Sequence, residues 1–200
     1  MIFDDQTLGI IEWIAAALGV INISLLIFRS VWNYPFGIAM VALYTFIFFE
    51  KRLYAESGLQ IFFILAQLWG WYLWVKVGGD DDRVPVRWLA NWGRAAWFTV
   101  TAALSLNLGW VMHQFTNAAM PYADSAVAGA SVAAQILLAY RRIENWVLWI
   151  AIDVVAIALY INRELYPTAG LYGGFLVLSL IGLREWIAAE KRAREATIVA

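Results

Sequence analysis

The sequence predicts an all-α integral membrane protein of seven transmembrane helices, two parallel three-helix repeats joined by a connector helix. Three observations carry this. Of 200 residues, 63% are hydrophobic and 14% charged, with a mean hydropathy of +0.68, whereas soluble domains sit near about 45–50% apolar and 25% charged. The charges fall in short patches, and the apolar stretches between them approach the roughly 20 residues that a bilayer span requires. Residues 32–74 and 144–186 also read as diverged copies. A shift of 112 positions lays Asn33 on Asn145, Leu53-Tyr54 on Leu165-Tyr166, Gly58-Leu59 on Gly170-Leu171, Phe63 on Phe175, Gly70 on Gly182 and Trp74 on Trp186.

The spans lie at 9–28, 32–49, 58–75, 91–112, 123–140, 146–162 and 168–187. The first follows an acidic start, Met1 to Thr7, without the basic n-region of a cleaved signal, so it reads as a permanent helix. Its small residues Ala15, Ala16 and Gly19 form a packing face, as do Ala126, Gly129, Ala130 and Ala133 of the fifth. Tight loops, Glu50 to Ser57 and Arg163 to Pro167, join the second helix to the third and the sixth to the seventh. The clearest linker is Gly78 to Arg87, where Asp80, Asp81 and Asp82 read as a solvated loop rather than a cation site. The fourth span has no counterpart under the shift. Three crossings end on the opposite face of the membrane, so one extra span is what lets a second trio point the same way. The division is therefore 1–77 for the first repeat, 78–122 for linker and connector, 123–188 for the second repeat and 189–200 for a tail.

Lysine and arginine set the orientation. One side receives Arg29, Lys76, Arg83, Arg87, Arg94, Arg141, Arg142, Arg184, Lys191, Arg192 and Arg194, and the other only Lys51, Arg52 and Arg163. The positive-inside rule makes the first side cytoplasmic, with the N-terminus outside and the C-terminus inside.

Several function classes are excluded. A net charge of −1 offers no basic face for nucleic acid. The absence of Cys removes disulfides and thiolate chemistry. No phosphate-binding GxxxxGK[ST] loop is present. The three lysines, Lys51, Lys76 and Lys191, lie outside span centres, which rules out a Schiff-base photoreceptor. An aspartyl hydrolase needs two carboxylates in one site, and His113 closes an unpaired helix at the wrong end for Ser–His chemistry. No catalytic residue, metal site or cofactor is expected, and the chain is not read as an enzyme.

What the helices do carry is stripes. On the third, Gln60, Gln67, Trp71 and Trp74 fall within about 60° at 100° per residue. The shift maps Gln60, Gln67 and Trp74 onto Tyr172, Ser179 and Trp186 of the seventh. On the sixth, Trp146, Trp149 and Asp153 share one face with Asn145 beside them. Asp153 is near mid-span, where an acid costs about 2.5–3.5 kcal/mol on the insertion scale and must face the bundle interior or a wet cavity. Two indoles leading to one acid suit a flat cation through stacking and cation–π attraction. Asn22, Tyr44 and Gln135 are further mid-span polar groups. Most of the other tryptophans, among them Trp13, Trp32, Trp88 and Trp92, read as interfacial anchors. Gly58, Gly70, Gly170 and Gly182 read as close-packing points. A seam between like-oriented repeats is where a transporter holds cargo; a scaffold without cargo is the rival reading.

The run WNYPFGI at 32–38, then KRLYAE at 51–56, Gln60 and GWYLW at 70–74, resembles the first half of the PnuC family of vitamin transporters. ENWVLWI at 144–150, Leu165-Tyr166 and Trp186 resemble its second half, so the likeness runs from about residue 9 to 190. The resemblance implies a three-plus-one-plus-three arrangement similar to the SWEET sugar transporters, in a bacterial inner membrane, as a homotrimer. It implies facilitated diffusion of nicotinamide riboside, with thiamine or another vitamin as the alternative, and trapping by a cytoplasmic kinase. Carried over by position, the binding residues are Asn33, Gln60, Trp71, Asn145, Trp146 and Trp149. The chain departs from the nicotinamide riboside pattern at Asp153 and Gln67. With these, and with Tyr44 and Gln135, the candidate substrate site is complete; Gln67, Trp71, Asn145, Trp149 and Asp153 are its first choices.

Overall fold

A computed structural model describes residues 5–50, 54–77, 84–116, 120–162 and 166–199. It contains seven α-helices: α1 (Asp5–Ile27), α2 (Asn33–Glu50), α3 (Tyr54–Val77), α4 (Asn91–Phe115), α5 (Pro121–Ala139), α6 (Glu144–Asn162) and α7 (Tyr166–Val199). Six of them, all but α2, are long and apolar enough to cross a membrane. At 18 residues α2 is the shortest, with Asn33 and Glu50 as its polar ends. The readings placed on Lys51, Arg52, Leu53, Asp80, Asp81, Asp82, Arg83, Arg163 and Leu165 lie outside the described residues.

The chain divides at Pro85 into two compact units. In the first, α2 packs against both α1 and α3. In the second, α4 packs on α5, α5 on α6 and α6 on α7, so the helix read as a connector lies with the three that follow it. Gly129 is pressed against Ser105, and Gly109 against Tyr122, which brings α4 and α5 into close approach.

Each unit contains the same turn. Arg29 and Arg141 both adopt left-handed backbone, with φ of 60° and 57°. Their N–H groups bond Leu26 O at 2.9 Å and Leu138 O at 2.8 Å. The next residues, Ser30 and Arg142, reach back to Leu25 O and Leu137 O. This pair of bonds closes a helix C-terminus whose left-handed position usually holds glycine. Four residues on from each arginine an asparagine completes the turn: Asn33 Nδ2 donates to Ser30 O and Asn145 Nδ2 to Arg142 O, both at 2.6 Å.

The cores repeat too. In the first unit Tyr34 lies over Gly70 and edge-on to Trp74, centroids 5.3 Å apart; in the second Trp146 lies over Gly182 and edge-on to Trp186 at 5.6 Å. All four rings are at most 1% exposed. Gly70 and Gly182 thus give room for an aromatic ring to lie on a helix backbone. Gly58 and Gly170 do not pack in this way, contrary to the sequence reading, since a Cβ at either meets nothing within 4 Å. The reason is helical phase. Their neighbours Ser57 and Ala169 are the buried residues, which leaves each glycine about 100° round on the exposed side.

Residues 189–199, within the segment read from sequence as a tail, are helical. The helix runs on without a break, 34 residues in all, to Val199. The apolar signal ends near residue 187, but the charged segment beyond is rich in helix formers, and Glu190–Arg194 and Lys191–Glu195 pair one turn apart at 3.8 and 3.9 Å.

Glu144, the first residue of α6, forms a clasp. Its carboxylate accepts the Leu89 N–H at 3.0 and 3.2 Å and the Arg94 Nε at 2.7 Å, while the Arg94 guanidinium lies 4.9 Å from the Trp88 ring. Arg87 joins it by exchanging backbone bonds with Arg141 and Ile143, each 3.3 Å. The start of α4 is thereby stitched to the α5–α6 turn.

Candidate functional site

In the second unit the candidate residue Asp153 lies on α6 and is 4% exposed. The Ser179 hydroxyl, from α7, donates to Asp153 Oδ2 at 3.0 Å. Among the described residues no Lys or Arg pairs with this acid. Asn145, Trp149 and Asp153 follow at four-residue spacing and so lie along one side of α6. The ladder is about 12 Å long at 1.5 Å per residue, the length scale of a nucleoside. Trp149 is half-buried, whereas Asn145 and Trp146 are fully buried.

Three buried polar atoms in this unit lack a hydrogen-bond partner among the described residues: Gln135 Nε2, Asn145 Oδ1 and Trp146 Nε1. Buried polar groups are ordinarily satisfied, and these three belong to the same unit as the buried acid. Trp146 nevertheless has a packing position, its ring face held on Gly182.

The first unit gathers amides instead. Gln67, 7% exposed, and Asn22 converge over Gly37, where a Cβ would collide with the Gln67 side-chain oxygen. Asn22 Nδ2 donates to Asn33 O at 2.7 Å. Trp71 is half-buried and shares an apolar groove of about 280 Å³ with Leu68, Tyr72 and Val75. Tyr44 stacks on Phe48 at 5.7 Å, and Gln60 is half-buried; neither is brought to the Asn22–Gly37–Gln67 cluster.

Under the shift Gly37 corresponds to Trp149, Val41 to Asp153 and Gln67 to Ser179. The same positions therefore carry an amide notch in one unit and an indole with an acid in the other. Sequence reasoning passed over Gly37 and left Ser179 out of the site. The signal for both was the shift itself, applied at positions where the two residue types differ.

A family model described as nicotinamide mononucleotide transporter matches residues 9–188. The nicotinamide riboside transporter PnuC of Escherichia coli (strain K12) is 28% identical over 92% of this chain and 88% of its own length. A nicotinamide riboside transporter PnuC from Neisseria mucosa is also 28% identical, over 90% of this chain and 74% of that one. The riboflavin/roseoflavin transporter RibM of Streptomyces davaonensis is 25% identical over 94% and 89%. The crystal structure of the vitamin B3 transporter PnuC superposes with a TM-score of 0.76 at 23% identity, covering 91% of this chain and 82% of that one.

Proposed function

The chain belongs to the nicotinamide mononucleotide transporter family, and from that premise we propose that this multi-pass membrane protein carries nicotinamide riboside across a bacterial inner membrane by uniport. The observation that carries the reading is Asp153, a buried acid without a basic partner among the described residues and with one oxygen held by Ser179. Nicotinamide riboside has a fixed positive charge on a flat ring. Asp153 supplies the opposite charge, Trp149 stacks on the heterocycle, and Asn145 and Gln135 meet ribose hydroxyls or the ring amide. An isolated carboxylate in a dry helix bundle is costly, and a cationic substrate compensates it.

The carrier works by alternating access, and a cytoplasmic kinase traps the vitamin by phosphorylation. The excess of basic residues on one side supports a C-terminus inside and an N-terminus outside, and a homotrimer is the assembly proposed. Thiamine is the second reading, because its thiazolium also carries a fixed charge that Asp153 fits. The similarity to RibM shows that relatives serve more than one vitamin, but riboflavin has no positive ring for the acid to meet. The test is thermal-shift titration of the purified protein with nicotinamide riboside, thiamine and riboflavin. Saturable stabilisation by nicotinamide riboside is expected. Stabilisation by thiamine alone selects the second reading, and no response to either cation removes both.

A further inference from the structure

We infer that Ser179 is a positioning residue for charge selectivity: its hydroxyl aims the Asp153 carboxylate at the positive ring of the substrate. The inference rests on the assignment of Asp153 as the charge partner, and it adds what orients that acid.

Three hydroxyls elsewhere in the helices, those of Ser24, Thr45 and Thr99, and that of Thr116 just past the end of α4, bond the carbonyl four residues back at 2.7–3.0 Å. This is the ready recourse for a hydroxyl in an apolar helix. Ser57 and Ser125 donate instead to a neighbouring helix, to Thr45 O at 3.0 Å and Met112 Sδ at 3.1 Å. Ser179 likewise reaches across from α7 to α6, but its acceptor is a carboxylate oxygen, Asp153 Oδ2 at 3.0 Å, with both residues buried. A carboxylate turns easily about its last torsion, which is broad and nearly two-fold. A single donor fixed on a packed helix removes that freedom. It occupies one oxygen and leaves Oδ1 pointing in a set direction.

The comparison between units sharpens the point. The positions equivalent to Asp153 and Ser179 are Val41 and Gln67. Gln67 lies over Gly37 on α2, so in both units this position of the third helix faces the middle helix. Where the middle helix carries the acid, the facing residue is a short hydroxyl that reaches it. A longer amide there would crowd the acid and compete for both of its oxygens.

The test titrates nicotinamide riboside and its uncharged dihydro form against the purified full-length protein, as wild type, Ser179→Ala, Ser179→Thr and Asp153→Asn. Ser179→Ala is expected to raise Kd for the cation about tenfold, the scale of one hydrogen bond to a charged group, and to leave Kd for the dihydro form within about twofold. Ser179→Thr keeps the hydroxyl and restores discrimination. A variant that is merely less well packed weakens both ligands alike, and that result, or no change in either, overturns the positioning role. Asp153→Asn separates the two claims. Loss of discrimination in it alongside an unchanged Ser179→Ala overturns only the role of Ser179, whereas retained discrimination overturns the assignment of Asp153 as well.

Discussion

Alanine at Gly182 should destabilise the protein relative to alanine at Gly170, although both glycines lie within α7 and both align with a glycine of α3. Each substitution gains about 1 kcal/mol of helix propensity. At Gly170 nothing lies within 4 Å of the new methyl, so the gain stands and the variant is more stable by up to about 1 kcal/mol. At Gly182 the methyl falls on the Trp146 indole. That ring is 1% exposed and braced edge-on against Trp186, itself 0% exposed, so it has nowhere to retreat. Overpacking of this kind costs about 1–3 kcal/mol, and an aromatic pair worth about 0.5–1.5 kcal/mol is disturbed with it. Propensity cancels between the two variants, which leaves a difference of about 1–4 kcal/mol. For a chain of this size that is a gap in melting temperature of at least about 2–4 °C. Gly70→Ala should behave like Gly182→Ala, since its Cβ would come 2.6 Å from Tyr34 Oη. The assay is thermal unfolding in detergent followed by tryptophan fluorescence. Equal melting temperatures for Gly182→Ala and Gly170→Ala would refute the ring-on-glycine account of the core.

Glu144→Gln removes the charge from the clasp on Leu89 and Arg94. With the Arg94 side chain 44% exposed, solvent screening holds the cost to about 1 kcal/mol or less. Hydrogen exchange should quicken at Leu89 and the first turn of α4 but not in α7, and unchanged exchange at Leu89 contradicts the clasp. Arg141→Gly relieves a side chain from left-handed backbone at φ 57° and should stabilise by about 1 kcal/mol. A lower melting temperature would mean that the arginine side chain contributes more than its backbone strain costs.

The helices were legible because an apolar run bounded by charge records the bilayer directly, and the span limits fall within a few residues of the helix ends for α2 to α6. The end of α7 was not, since hydropathy reports where the membrane stops rather than where the helix stops. Asp153 stands out in any reading, because an acid in an apolar run is costly. Ser179 and Gly37 do not: serine and glycine are common in membrane helices, and only the partner across the helix interface distinguishes them. Periodicity puts Trp146, Trp149 and Asp153 on one side of α6, but not that Gly182 lies beneath the Trp146 ring. The left-handed turns at Arg29 and Arg141 were hidden for a related reason, as the residue type usual at such a position is glycine.

The most direct test of the central claim is uptake of labelled nicotinamide riboside into proteoliposomes in which the vitamin's own gradient is the only one imposed. The account predicts saturable, equilibrating uptake by the wild type and its loss in Asp153→Asn. Uptake that requires a proton or sodium gradient, or that is unchanged by Asp153→Asn, would contradict it.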